Sequence, residues 1–272
     1  MIPHAFDYEQ PASVADAIAM LGKHGGEARV LAGGHSLLPL MKLRLAAPDA
    51  LIDIGRIASL RGITDTPDSI TIGALTTHAQ VAGSHAIVTG CPILAETAAG
   101  IGDTQVRNRG TIGGSLANAD PHGDLPAVLL ALEGEVSAEG PSGQRTIAAA
   151  DLFVDYLQTS LSQDEIITAV RVPKAGRSAY VKFNRRAQDW AIVGAAAVVD
   201  GASARIALTG VGSKPMRASA AEAAFSGSNA AEAAAHASDG LDPPSDTAAS
   251  GEYRAHLARV LVRRALEAAM AL

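Results

Sequence analysis

Two short segments each carry a glycine pair: Ala32-Gly-Gly-His-Ser36 and Thr111-Ile-Gly-Gly-Ser115. Each follows apolar or β-branched residues and ends in a hydroxyl. A plain turn needs less than this, whereas a loop that brings its backbone close to a ligand needs this much. Adjacent glycines admit positive φ and strip Cβ atoms from one face, so successive N–H groups can share one concavity that suits an anion. The Ser36 hydroxyl and the His35 ring add hydrogen-bonding capacity beside the first pair. Either pair alone is equally a turn. Two that share chemistry point to a diphosphate held from two sides. Neither is followed by Lys-Ser/Thr and neither is Gly-x-Gly-x-x-Gly, so the usual nucleotide fingerprints are missing.

Around these segments the periodicity alternates between helix and strand. Ser13 and Asp16 mark a helix start, with Val14, Ala17, Ile18 and Leu21 on one face and Gly25-Gly26 at its end. Residues 28–32 read as a strand entering the first glycine loop, 36–45 as a short helix, and 50–54 as a second strand. Further along, 69–72 reads as strand and 77–82 and 92–99 as helices. Residues 110–126 read as a second glycine loop leading into a helix at 127–132. Short strands at 136–138 and 147 precede longer ones at 165–172 and 179–183. A third region begins near Arg177, with strands at 192–199 and 204–209 joined at Asp200-Gly201. Ala-rich helices at 220–225 and 230–237 follow. A final helix at 253–270 places Leu257, Val260, Leu261 and Leu266 inward, and Arg254, Arg259, Arg263 and Arg264 largely elsewhere. Mixed elements without strict strand–helix alternation predict an α+β fold.

The chain has 272 residues and a net charge of −6. That suits one large domain or two medium ones, and without a sustained basic stripe it disfavours nucleic acid. The single cysteine, Cys91, cannot build a disulfide framework or ligate an iron–sulfur cluster alone. His35 has no partner at ligand spacing, so no metal is expected here. No basic segment followed by an apolar one opens the sequence, and no run is long enough to span a membrane. The expected compartment is the cytoplasm.

The segments LAGGHSLLPLMKLRL (31–45) and TIGGSLANADPHGDLP (111–126) resemble the paired FAD-binding signatures of the medium subunit of molybdenum hydroxylases, the carbon monoxide dehydrogenase and xanthine dehydrogenase family. EIITAVRVP (165–173), YVKFNRRAQDWAIVG (180–194) and EYRAHLARVLVRRAL (252–266) resemble later segments of the same subunits, so the likeness runs the length of the chain. The resemblance implies a two-subdomain FAD-binding fold of the vanillyl-alcohol-oxidase type over residues 1–176, divided at about 54, and a smaller C-terminal α/β domain over 177–272. It implies FAD in this chain, with molybdopterin and [2Fe-2S] clusters in partner subunits. Those partners would be a large molybdopterin subunit and a small subunit with two clusters, the three-subunit unit being doubled into a dimer of heterotrimers.

By the same resemblance Val30, Leu31, Ala32, Gly33, Gly34, His35, Ser36 and Leu37 line the FAD diphosphate, with Thr111, Ile112, Gly113, Gly114 and Ser115. Ser115 replaces the Asp or Asn often found there. Asp124, Ile167 and Lys182 match family positions at the cofactor, and Ile101 stands where some relatives carry an aromatic. Read from residues alone, Asp124 is equally a helix N-cap and Lys182 equally a solvated charge. Trp190, the only tryptophan, could stack on a flavin, but core or interface is the plainer reading. His78 and His122 read as exposed loop residues, and Cys91 as a packed thiol. No proton-transfer pair or nucleophile constellation stands out, so no catalytic side chain is assigned. That suits a protein whose chemistry belongs to the cofactor. The function implied is an FAD-carrying subunit that passes electrons from a partner's clusters to an external acceptor. The alternative is a free-standing oxidase of the vanillyl-alcohol-oxidase type.

Overall fold

The structure, a computed structural model, describes residues 2–272. Its first sheet is parallel, with Ala50–Asp53 between Asp7–Glu9 and Ala28–Leu31. Between the last two strands in sequence lies the helix Leu37–Lys42, so the first glycine bend sits at the C-terminal end of a parallel strand. That edge, where strands end and a helix begins, is where open parallel sheets place ligands. The helix Val14–Lys23 packs on this sheet through Ala17, Ile18 and Leu21, and the Ser13 hydroxyl accepts the Asp16 amide at its N-terminus.

A second, antiparallel sheet has the spatial order Ile63–Asp65, Ser69–Gly73, Ile166–Pro173, Glu135–Gly140, Gly143–Ala148. Ile166–Pro173 is its middle strand, with Val170 opposite both Ile72 and Val136. The helices Pro92–Ala99, Ile112–Asn118 and Asp124–Leu132 supply much of the remaining main core. Asp124–Leu132 is buried along its whole length. Each large aliphatic side chain withdrawn from water here contributes about 1.5–3 kcal/mol, which offsets ordering the chain around it.

The third sheet is antiparallel: Ser178–Phe183, Val193–Asp200, Ser203–Thr209 and Met216–Arg217. Strand alternation divides two cores. Ala196, Val198 and Ala207 face the main core, whereas Ala195, Ala197, Val199, Ile206 and Leu208 face a second core under the helix Gly251–Met270. Alanines on both faces bring helix and strand backbones close.

The structure corrects the sequence reading in several places. Residues 110–126 are not one loop, because Gly113 and Gly114 lie inside the helix Ile112–Asn118. The strand Asp7–Glu9 and the helices His85–Gly90 and Thr104–Arg109 were not anticipated; each is short and carries no strong apolar period. Arg254 does not lie on a solvated face. It is fully buried, donating to the Ile192 and Gly210 carbonyls and pairing with Asp246 at 2.7 Å. No helix among the described residues is long and apolar enough to cross a membrane.

Candidate cofactor site

At the first bend Gly34 has φ +78°, and a Cβ there would also press on Leu38 Cδ1 at 2.8 Å. The left-handed residue turns neighbouring amides toward one side. The N–H groups of Gly33, Gly34, His35 and Ser36 find no protein acceptor among the described residues. His35 and Ser36 are exposed, and both glycines are partly so. Consecutive open main-chain donors of this kind suit a phosphate or diphosphate.

The second bend works differently. The amides of Ile112, Gly113 and Gly114 already donate to Thr76 O (3.0 Å), Ala74 O (2.9 Å) and Thr111 Oγ1 (3.1 Å). Gly113 is a glycine for packing, since a Cβ would lie 2.6 Å from Ala74 Cβ. The two pairs look alike in sequence but differ in their amides: the first leaves its donors open, whereas the second has already spent them on protein acceptors.

The bends nevertheless meet. A Cβ on Gly33 would overlap the Arg109 carbonyl, and one on Gly114 would come within 3.9 Å of Ala32 Cβ. Residues about 80 positions apart in sequence thus share one wall. Behind it lies His78, buried, its amide bonded to Gly110 O at 2.9 Å and its Nδ1 without a partner. Burial, with His35 as a second cause, pushes this imidazole down to about 4, so it stays neutral near pH 7. The expectation that His78 is an exposed loop residue is therefore corrected. His122 is half-buried, with Nδ1 3.0 Å from the Ala191 carbonyl oxygen.

A second group forms where the third sheet meets the main core. Lys182 Nζ bonds Asp124 Oδ2 at 2.7 Å and the Gly100 carbonyl at 3.1 Å. The Tyr180 hydroxyl donates to Asp124 Oδ1 at 2.6 Å. Asp124 is the first residue of its helix and Gly123 the N-cap, so its carboxylate serves this pair rather than capping. Lys182 is no freely solvated charge. Glu96, Thr97, Gly100, Tyr180 and Lys182 line a cavity of about 150 Å³, and the buried Thr97 hydroxyl has no partner. Sequence reading named Asp124 and Lys182 but missed Tyr180 and Thr97. Tyr180 had a signal, because residues two apart on a strand share a face.

The remaining candidates divide. Ile101 follows Gly100 and packs partly on the main core, and Ile167 is buried in that core beside a strand irregularity. Val30, Leu31, Ala32 and Leu37 are half-buried along the first bend, Thr111 is buried, and Ser115 is half-exposed. Trp190 is 71% exposed. It adjoins Ala191, whose carbonyl meets His122 on the turn leading to Asp124.

Comparison with known proteins gives a consistent picture. Residues 4–175 match the family model described as the FAD binding domain in molybdopterin dehydrogenase. Residues 178–269 match the CO dehydrogenase flavoprotein C-terminal domain. The carbon monoxide dehydrogenase medium chain of Hydrogenophaga pseudoflava is 41% identical, the match covering 100% of this chain and 99% of that one. The nicotine 6-hydroxylase medium subunit of Paenarthrobacter nicotinovorans is 40% identical over 96% of each. Among solved structures, carbon monoxide dehydrogenase from Hydrogenophaga pseudoflava superposes with a TM-score of 0.96 at 43% identity, covering 100% of this chain and 99% of that chain. Quinoline 2-oxidoreductase from Pseudomonas putida 86 superposes with a TM-score of 0.94 at 33% identity, with the same coverage.

Proposed function

Since the chain belongs to the family of FAD-binding medium subunits of molybdenum hydroxylases, an oxidoreductase family, we propose that its FAD is held between the open amides of the first glycine bend and the Asp124–Lys182 pair. The carrying observation is the run of unspent donors from Gly33 to Ser36, set against the second bend at Arg109 and Gly114. A dinucleotide's diphosphate needs such donors, and its isoalloxazine gains from a nearby fixed cation, so the residues present fit the group.

Bound FAD supplies reversible electron storage between a partner's clusters and an external acceptor. The chain's own residues do the rest. Gly33, Gly34, His35 and Ser36 hold the diphosphate through the main chain, which places the cofactor without spending a charged side chain. The packed wall formed by Gly33, Gly110 and Gly113 fixes those amides in place. Lys182, anchored by Asp124 and Gly100, puts a positive charge where negative charge accumulates on reduction, an electrostatic role that needs no general base. Val30, Leu31, Ala32, Leu37, Ile101 and Ile167 supply apolar surface, Thr111, Ile112 and Ser115 frame the second bend, and Trp190 lies exposed beyond the turn.

In this reading residues 1–176 form the FAD-binding part, divided near 54, and 177–272 the C-terminal domain that brings Lys182 to it. The chain works in a complex with a large molybdopterin subunit and a small subunit carrying two [2Fe-2S] clusters, as a dimer of heterotrimers in the cytoplasm. Copurification with mass and metal analysis tests the assembly. For the site, complexes carrying Gly34→Ala and Lys182→Met are loaded with FAD and their dissociation constants compared. At least tenfold weaker binding in both is the expected result, and wild-type affinity in both would refute the assignment.

A further inference from the structure

The Tyr180 hydroxyl is housed more tightly than a core tyrosine needs. Tyr180 and Lys182 lie two residues apart on the strand Ser178–Phe183 and reach the two oxygens of one carboxylate, Asp124 Oδ1 and Oδ2, at 2.6 and 2.7 Å. Lys182 sits opposite Gly194 on the neighbouring strand. A Cβ at Gly194 would overlap the Tyr180 hydroxyl and come within 2.8 Å of Thr209 Cγ2. The missing side chain at 194 is therefore what lets the phenol reach Asp124. Tyr180 also lines the cavity that Lys182 and Gly100 border.

A carboxylate beside an ammonium cancels much of its field. A hydrogen bond to the other carboxylate oxygen draws part of that negative charge away and fixes the group's orientation. We infer that Tyr180 is a positioning residue that holds Asp124 and tempers its charge, so that Lys182 keeps a net positive field toward FAD. This rests on the reading above, in which Lys182 faces the cofactor. Burial, and then the Asp124 charge, raise the phenol well above its ordinary 10.0, so it remains a donor at working pH. Without the hydroxyl, Asp124 neutralises Lys182 more fully and the reduced cofactor loses stabilisation.

The test is a spectroelectrochemical titration of FAD in the assembled complex. Tyr180→Phe is expected to lower the reduced-to-oxidised ratio at fixed potential about tenfold, a midpoint about 30 mV more negative for a two-electron couple. Gly194→Ala displaces the hydroxyl while keeping the tyrosine, and shifts the midpoint the same way. In an Asp124→Asn background, where there is no carboxylate charge left to temper, Tyr180→Phe adds no further shift. If Lys182→Met moves the midpoint but neither Tyr180→Phe nor Gly194→Ala does, Tyr180 only packs and the inference fails alone. If Lys182→Met leaves both midpoint and FAD affinity unchanged, the placement of Lys182 at the cofactor fails and the inference goes with it.

Discussion

Lys182 and Asp124, 58 residues apart, meet at 2.7 Å across the boundary between the third sheet and the helix Asp124–Leu132. The pair ties the strand that opens the C-terminal sheet to the helix that follows the second glycine bend. Both side chains are largely withdrawn from water, which strengthens the interaction and makes it costly to break.

Asp124→Asn removes the charge but keeps the shape. It is expected to lower the free energy of unfolding by about 1.5–3 kcal/mol, the range for a hydrogen bond to a charged group. It also leaves Lys182 uncompensated, so the FAD midpoint in the complex rises. Denaturant melts and a redox titration check the two effects separately.

Gly33 and Gly113 are positions where a side chain meets protein before it meets any ligand. Gly33→Ala and Gly113→Ala are therefore expected to destabilise the fold by about 1–3 kcal/mol through overpacking, before any cofactor is added. Thermal melts of the apo chain read this directly. A double valine replacement here would report on folding rather than on the diphosphate. Gly34→Ala meets only side-chain atoms, chiefly the flexible end of Leu38, rather than backbone, and its strain at φ +78° falls on the open amides themselves, so it perturbs them with less overpacking.

How much of this was legible beforehand depended on the kind of signal. The capped helix at Ser13, the strand at 28–32 and the Asp200-Gly201 hairpin follow from local chemistry, and the structure has each within a residue or two. The two glycine pairs were visible as a pair. Their contrasting roles were not, because whether an amide is spent depends on Ala74, Thr76 and Thr111, and at Ala74 and Thr76 that contact is tertiary. Arg254 shows the same limit. Helical periodicity put it off the apolar stripe, yet two backbone carbonyls at the ends of neighbouring strands, Ile192 and Gly210, draw it inside. Lys182 and Asp124 came from a resemblance, and only the fold shows that they bind each other.

Arg254 holds the Ile192 and Gly210 carbonyls under the last helix, so Arg254→Met strands both acceptors in the core. The expected loss is about 1–3 kcal/mol for each stranded acceptor, since Asp246 is 44% exposed and stays solvated without its partner. Its partner Asp246 is pushed up by desolvation but held down more strongly by the Ala249 and Ala248 amides and then by Arg254, to about 2 against an ordinary 3.8. A depressed carboxylate stabilises the fold above its unfolded value, so this contribution is lost as pH falls from 3.8 through about 2. Acid melts of wild type and Asp246→Asn should converge in that window.

His78 adds a second acid-sensitive element at higher pH. Its folded value of about 4 lies below the ordinary 6.5, so the unfolded chain binds the extra proton first and stability declines as pH falls from 6.5 through about 4. His78→Gln should flatten the stability–pH curve across that range. An unchanged curve would show that the imidazole is solvated.

Cys91 is fully buried, and burial pushes its thiol up to about 12. A thiol that stays protonated is a poor nucleophile. Native protein should resist alkylation at neutral pH and label at one site once unfolded.

The most direct measurement is amide hydrogen exchange in the assembled complex with and without FAD. Exchange at residues 33–36 should slow sharply on FAD binding, because those donors have no protein acceptor. Residues 112–114 should be protected in both states, since their amides are already bonded. Unchanged exchange at 33–36 on loading would contradict the claim that the first glycine bend holds the diphosphate.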